Sequence, residues 1–536
     1  MKNKLFFVLI LFIAISLRFF ALGRNPASLD WDEASLGYNA YSVLKTGRDE
    51  YGNFLPLSIR SFNDYKPPLY TYLTVVPVWL FGLNEFSVRF VSFFSGVIAV
   101  TAVYFLVRLT FKNSKLALLT AFFLSLSPWH LQFGRTAFEA NIALGFFIIA
   151  VTFYLKGLKK NSFLILSGIM FAISLYAYHS PRLIIPVFVF GLTAIFRNKL
   201  LKKIPVYIVF LCLIAVSFLP ILSEFKKSTA ARFSSVSGIN PDQKLGSSIA
   251  EMEYDLDERG DLSGKFFHNR RFVFAREILG GYLDHFNFDF LFLYGDAPGR
   301  HHAAGMGMLY FIEFPFVIIG ILIMLKNLKE QGFKTFFLWF LIAPLASSLT
   351  SGTPHAVRAI FYLPVYQLFS ALGFLFLLKI NKFLLYTCYL LLISNIFYYL
   401  HQYYVHTPVE YAREWQFGYK QAVMISNKYY AGVDKIIVTY KYDQPYIFWL
   451  FYNKTDPLWY QRNWLGELSF DTHAEVLRDE RRFDKYEFRN IDWEQDKNKK
   501  NVLLIGTPSE IPNAAPGTVA EIPFPDGTPA FRIVLR

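Results

Sequence analysis

The sequence predicts a mainly α fold: a polytopic bundle of membrane helices with helices in its outer-face loops, followed by a small C-terminal soluble α/β domain. Three observations predict it. Of 536 residues, 54% are hydrophobic and only 18% charged, against roughly 25% charged in ordinary soluble domains. Apolar runs close to the roughly 20 residues that cross a bilayer recur through the first three quarters of the chain. From about residue 401 onward that pattern gives way to strand-like and amphipathic stretches. The expected division is therefore 1–400, embedded in the membrane, and 401–536, soluble. The formal net charge of +14 sits in small groups between apolar runs, which fits topogenic loops and anionic lipid heads and not nucleic acid. Cys212 and Cys388 both lie in apolar runs, so no disulfide framework is expected.

The first element is the run MKNKLFFVLILFIAISLRFFALG. It begins like a signal peptide but has no small-x-small cleavage site, and it reads as an uncleaved first span. Further spans are drawn at 87–107, 116–130, 141–155, 162–178, 182–196, 204–223, 307–325, 335–350, 358–378 and 383–400, which with 5–22 makes about eleven. The run PPLYTYLTVVPVWLFG at 67–82 is left out: it is short, and its two leading prolines suit the first turn of a helix. Charge supports the omission. With Lys2 and Lys4 inside, basic clusters at Arg108/Lys112/Lys115, Lys156/Lys159/Lys160, Arg197/Lys199/Lys202/Lys203, Lys326/Lys329/Lys334 and Lys379/Lys382 all fall inside. Counting 67–82 as a span would invert every one of them, so it is expected to lie along the interface. In the tail, VDKIIVTY and NVLLIG read as strands, PDGTP as a hairpin turn and REWQFGYKQAVMISNKYY as an amphipathic helix.

This topology puts the acidic, histidine and aromatic residues on the outer face, in connections 23–86, 131–140, 179–181, 224–306 and 351–357 and in the tail from about 401, whose soluble domain is therefore expected to be extracytoplasmic. The first contains SLDWDEASLGYNAYSVLKTG, with Asp30, Asp32 and Glu33 beside a membrane segment. Asp30 or Asp32 would cap a helix that Gly47 ends. A cap explains one acid, whereas an ionised carboxylate against an apolar wall is also what a general base for a hydroxyl acceptor requires. Lys66 in NDYKPPLY could snorkel to the head groups or hold a phosphate at the membrane surface. Arg135 and Glu139 are four apart and could pair on one helix face. His179 reads as a structural interface residue. His355 and Arg358, three apart at the start of a span, could meet a phosphate or flank a helix. His301 and His302 in GRHHAAG invite a metal reading, but adjacent histidines in a glycine-containing loop are weak ground for one, and no metal or other cofactor is expected, a divalent ion being the one candidate.

The run of motifs, the acidic pair Asp32-Glu33, KPPL at Lys66 to Leu69, then NEFSVRF at Asn84 to Phe90, resembles membrane glycosyltransferases of the C-type fold, in the branch of protein O-mannosyltransferases and lipid A aminoarabinose transferases. The resemblance covers roughly residues 1–400 and is strongest in the first 160. It implies an enzyme that moves a hexosyl or pentosyl group from a polyprenyl-phosphate donor to an extracytoplasmic protein, lipid or polysaccharide acceptor, at the plasma membrane, with the N-terminus cytoplasmic. It implies Asp32 as base, with Glu33 and Glu139 as further catalytic candidates. Glu139 stands where the family often has an aspartate, which leaves its role between acceptor-side and structural. Lys66, Arg135, His355 and Arg358 are the implied donor-phosphate contacts. A lipid-linked donor also needs no nucleotide fold, and none is legible. Two rival readings remain at this stage. A lipid or saccharide flippase would set charges near the bilayer midplane, whereas Arg18, Arg89 and Glu313 lie toward the outer parts of their spans. A non-catalytic assembly protein would tolerate loss of the outer-loop acids.

Overall fold

The computed structural model describes every residue except 1, 63, 225–249, 258, 259, 261, 381 and 465–480. Part of the outer connection 224–306 and part of the tail therefore lie outside the described residues. The fold is mainly helical, with a C-terminal sheet, and it divides into two compact units. The first comprises Met1–Ile15, Gly96–Phe133 and Ala140–Tyr399; the second comprises Ser16–Ser95, Gly134–Glu139 and Leu400–Arg536.

Among the described residues, four helices are long and apolar enough to cross a membrane: Glu85–Phe111, Glu139–Gly157, Pro181–Leu222 and Ile360–Leu377. The expectation of about eleven spans differs because many of the helices in the drawn segments are short. Ser114–Leu126 has 13 residues, Ser162–Leu175 has 14 and Gln331–Ile342 has 12, each under the roughly 20 of a full crossing. The stretch Pro181–Leu222, 42 residues long, is twice that length, and it breaks where the basic cluster sits. Phe196 leaves helical geometry (φ −110°, ψ 15°), and Leu201–Lys203 forms a 3-10 turn. Lys203 Nζ bonds Asn161 Oδ1 at 2.7 Å near the start of helix Ser162–Leu175, while Tyr176 at that helix's end bonds Ser217 O at 2.8 Å. Those two helices therefore run parallel, and the helix between them must return.

In the first unit, helix Glu313–Lys326 crosses Val365–Leu377 at backbone contact. A Cβ on Gly320 would meet Phe369 O at 2.1 Å, and one on Gly373 would meet Phe316 O at 2.0 Å, so only glycine permits the approach. Glu313 enters this contact by accepting from Ser370 Oγ at 2.6 Å.

The second unit is assembled from distant sequence. Strands β1 (Ile59–Ser61) and β2 (Asp64–Lys66) form a small antiparallel hairpin that ends on Lys66. The tail contributes β3 (Lys435–Val438), β4 (Arg481–Phe483), β5 (Tyr486–Phe488), β6 (Val502–Gly506), β7 (Thr518–Pro523) and β8 (Pro529–Leu535), in the order β4-β5-β3-β6-β8-β7. The pairs β3–β5 and β3–β6 are parallel and the others antiparallel. The strands expected in VDKIIVTY and NVLLIG are β3 and β6. PDGTP turns between β7 and β8, with Gly527 at φ +84° and Asp526 Oδ1 accepting from Thr528 N at 2.9 Å. The amphipathic helix is Tyr419–Tyr429. A further tail helix, Pro445–Tyr452, is buried from Pro445 to Phe451 because its apolar surface is covered on more than one side. One neighbour is the acidic helix Trp31–Thr46: a Cβ on Gly37 would meet Phe451 Cε2 at 2.5 Å.

Candidate active site

The acidic helix Trp31–Thr46 begins on Asp30, whose Oδ1 accepts from Glu33 N at 2.8 Å, and ends on Gly47 at φ 69°. The cap is thus Asp30, and the other two acids are placed in the first turn with different surroundings. Glu33 is 1% exposed. Its two oxygens take the guanidinium of Arg89, Oε1 from Nε at 2.9 Å and Oε2 from Nη2 at 2.7 Å, and Oε1 also accepts from Ala137 N at 2.8 Å. Arg89 further donates to Pro26 O at 3.0 Å and Ser28 O at 2.6 Å. Glu33 therefore ties the acidic helix to the helix Glu85–Phe111 and to the segment 134–139.

Asp32 faces another way. Its carboxylate is 36% exposed and forms an ion pair and hydrogen bond with Lys66, whose side chain is 7% exposed. Burial alone would push the Lys66 ammonium down. The negative charges of Asp32, Glu139 and Asp64 outweigh that and hold it above its ordinary value. Asp32, Lys66 and Glu139 are thus electrostatic neighbours within the second unit. Lys66 arrives at the end of β2, and Pro67 and Pro68 stop the strand and start helix Leu69–Phe81. That helix has 13 residues and buries Tyr70, Thr71, Thr74, Pro77 and Val78, leaving Leu73, Val76, Trp79, Leu80 and Phe81 exposed. It is shorter than the roughly 20 residues of a full crossing and carries an exposed apolar face.

Arg135 makes four hydrogen bonds. It donates from Nη1 to Leu17 O at 2.6 Å and Arg18 O at 3.1 Å, from Nη2 to Asn25 O at 3.2 Å, and from Nε to Tyr403 Oη at 3.0 Å, and its guanidinium lies over the rings of Tyr403 and Tyr404. Its donors go to carbonyls and a phenol, where the sequence suggested a phosphate or Glu139. His355 and Arg358 belong to the first unit. Arg358 donates to Thr350 Oγ1 at 2.7 Å and Ser351 O at 2.9 Å, bracing its own loop. Burial first, then the charges of His301 and Arg358, holds His355 well below its ordinary pKa.

The residues that sequence reasoning did not place in the site are Arg89 and the tail residues around it. Gln416 Oε1 accepts from Trp31 N at 2.7 Å, and Arg89 lies over the Trp415 ring at 5.8 Å. The available signal was charge matching: an arginine near the end of a membrane helix and a surplus acid in the adjoining loop are each costly alone and call for one another.

The model of the dolichyl-phosphate-mannose-protein mannosyltransferase family matches residues 65–222, a stretch that opens one residue before Lys66 and contains KPPL, NEFSVRF and Glu139. No curated protein matches the chain by sequence. Among solved structures, ArnT from Cupriavidus metallidurans in the apo state is 13% identical, with 99% of this chain and 98% of that chain covered at a TM-score of 0.54. The same protein bound to undecaprenyl phosphate matches at 13% identity and a TM-score of 0.53, over 98% and 97% of the two chains. The oligosaccharyltransferase of Archaeoglobus fulgidus tethered to an acceptor peptide matches at 14% identity and a TM-score of 0.49 over 85% of this chain. The match covers 63% of that protein, so this chain spans less than two thirds of its length. The resemblance carried by the motifs is thus met by a family match over KPPL and NEFSVRF and by an ArnT-like fold across nearly the whole chain.

Proposed function

We propose that this chain is a multi-pass membrane glycosyltransferase that moves a sugar from a polyprenyl-phosphate donor to an extracytoplasmic acceptor. The observation that carries the reading is the Asp32–Lys66 pair with Glu139 in electrostatic reach, in the first turn of a helix and beside an apolar helix, with Lys66 and Glu139 inside the stretch that the mannosyltransferase family matches and Asp32 ahead of it. ArnT, the solved structure that aligns end to end, binds undecaprenyl phosphate, the donor class a carboxylate and an ammonium at a membrane surface would serve.

In the proposed reaction Asp32 takes the proton of the acceptor hydroxyl as its oxygen attacks the anomeric carbon. The bond from that carbon to the phosphate oxygen breaks, its electron pair stays on the lipid phosphate, and the Lys66 ammonium stabilises the charge that develops there. Lys66 therefore exchanges its carboxylate partner for phosphate when donor binds, which frees Asp32 to act. One base and one in-line departure invert the anomeric centre, with no second carboxylate as nucleophile. Glu33 and Arg135 are positioning residues in this scheme, and Glu139 an acceptor-side or structural one. Arg358 is kept as a second phosphate cation. The eleven-span topology, the cytoplasmic N-terminus, the plasma membrane and the hexosyl or pentosyl nature of the sugar belong to the same proposal.

The test is turnover of purified protein against a panel of polyprenyl-phosphate sugars, reading released carrier phosphate and glycosylated acceptor by mass spectrometry. Release that depends on acceptor and fails in Asp32→Asn is expected. Movement of an intact lipid across vesicles with no release would favour the flippase reading.

A further inference from the structure

Three residues of the first unit gather with no role in the chemistry above. Asp296, His301 and His355 each offer a ligand atom, and these atoms lie within 4.8 Å of one another. Asp296 and His301 come from one loop and His355 from another, yet the two loops are pinned together by ordinary hydrogen bonds. Asp296 Oδ2 accepts from Ala356 N at 2.8 Å and pairs with His301 Nδ1 at 2.6 Å. Trp129 Nε1 donates to Ala356 O at 3.0 Å, and His355 N donates to His285 Nε2 at 3.2 Å. The arrangement is built without help from any ligand.

What those bonds leave over points inward. The Asp296 side chain is 0% exposed, and its Oδ1 has no hydrogen-bond partner; His355 Nδ1 is likewise buried and without one. A buried polar atom left without a partner costs about 1–3 kcal/mol, and two of them on residues whose ligand atoms lie within 4.8 Å of one another call for an occupant. The neighbouring His302 is excluded as a ligand because both its nitrogens are engaged, Nδ1 with Ala303 O at 3.0 Å and Nε2 with Asp296 O at 2.9 Å. Its ring packs over Gly295 at φ +76°, where a Cβ would meet it at 2.6 Å, which fixes the loop.

We infer that Asp296, His301 and His355 hold a divalent transition-metal ion of the zinc class. Two imidazoles and one carboxylate are borderline donors that suit Zn²⁺ over Mg²⁺ or Ca²⁺, which prefer all-oxygen sets. Three protein ligands leave a coordination position open, and His355, the least buried of the three, marks the entry side.

The experiment uses the full chain in detergent with any affinity tag removed, stripped with chelator and reloaded with Zn²⁺ alone. One ion per chain by mass spectrometry of the metal content is expected, with a rise in melting temperature and an X-ray absorption edge showing nitrogen and oxygen donors without sulfur. Asp296→Asn and His355→Gln should weaken binding, measured against a chromophoric chelator, by more than about a hundredfold, beyond the 10–100-fold typical of an outer-shell partner. The exposed pair His401 and His406, 3.2 Å apart through their Nε2 atoms, supplies the control: His401→Ala/His406→Ala should keep the ion. No retained zinc in the wild type, sulfur in its coordination shell, or zinc lost with the exposed pair and kept in His355→Gln, would each overturn the assignment.

Discussion

Asp32 and Glu33 are adjacent acids in one helical turn whose environments separate their roles. Asp32 is half open and shares Lys66, while Glu33 is buried against Arg89 and the Ala137 amide. Asp32→Asn keeps the shape and removes the base, so turnover should fall by about 10²–10⁴ while binding of polyprenyl phosphate survives. Normal turnover in this variant would remove the assignment. Lys66→Met should instead weaken donor binding about tenfold to a hundredfold, the worth of one charge-assisted contact, as titration with labelled carrier phosphate would read. Glu33→Gln leaves Arg89 charged and buried, so it should act through the fold, at roughly 3–5 kcal/mol of stability, visible as a lowered melting temperature before any effect specific to donor. The sequence singled out Asp32 and Lys66 although a helix cap and snorkelling offered bland readings, because a cap explains one acid of three and the structure gives that place to Asp30. The Glu33 clamp was hidden, since Arg89 and the Ala137 amide are 56 and 104 residues away along the chain and only the fold brings them to it. The same holds for Arg135, whose four acceptors are contributed by two separate segments.

Among the elements, those with a strong local signal match their sequence reading best. The acidic helix is delimited by Asp30 and Gly47, the β7–β8 hairpin by PDGTP, and the interfacial helix by the prolines of KPPL. Spans were harder to count because helices such as Gln331–Ile342, at 12 residues, are apolar without being long, and composition alone does not say how a short helix sits in a bilayer. The alternation of basic loops makes a prediction about it that can be tested. In a variant with Cys212→Ser and Cys388→Ser, single cysteines at Leu57 and Ser351, both exposed, should react with an impermeant thiol reagent on intact cells. One at Lys329, exposed in a basic connection, should react only after the cells are opened. Labelling of Lys329→Cys in intact cells with no labelling of Ser351→Cys would invert the topology and carry the proposed active site to the wrong face.

At the scale of the whole molecule, the tail folds with the first outer loop as part of one compact unit, and a buried acid marks where they meet. Glu50 is 0% exposed. Its Oε1 accepts from Tyr446 Oη at 2.8 Å and lies 3.6 Å from Arg481 Nη1, too far for a hydrogen bond. Burial raises its pKa to about 7; Arg481, Tyr446 and Arg60 pull it down, and Asp49 pushes it up further. The folded value therefore stands above the ordinary 4.5 of the unfolded chain, and between those two values the folded state binds the extra proton. Stability from this group is then fully present below about 4.5, is lost as pH rises from there through about 7, and is flat above that. Each pKa unit is worth about 1.4 kcal/mol, so the swing is about 3 kcal/mol. His285, held down to about 4 by burial, works in the opposite sense in the other unit, losing stability as pH falls below its ordinary 6.5. The informative quantity is accordingly the difference between wild type and Glu50→Gln. Measured by thermal unfolding in detergent from pH 8 to pH 5, the wild type should gain stability relative to Glu50→Gln as pH falls below about 7, with the steepest change between about 7 and 4.5. Parallel curves for the two proteins would show that Glu50 is ionised alike in folded and unfolded chains, and that Arg481 holds the carboxylate more firmly than burial opposes it.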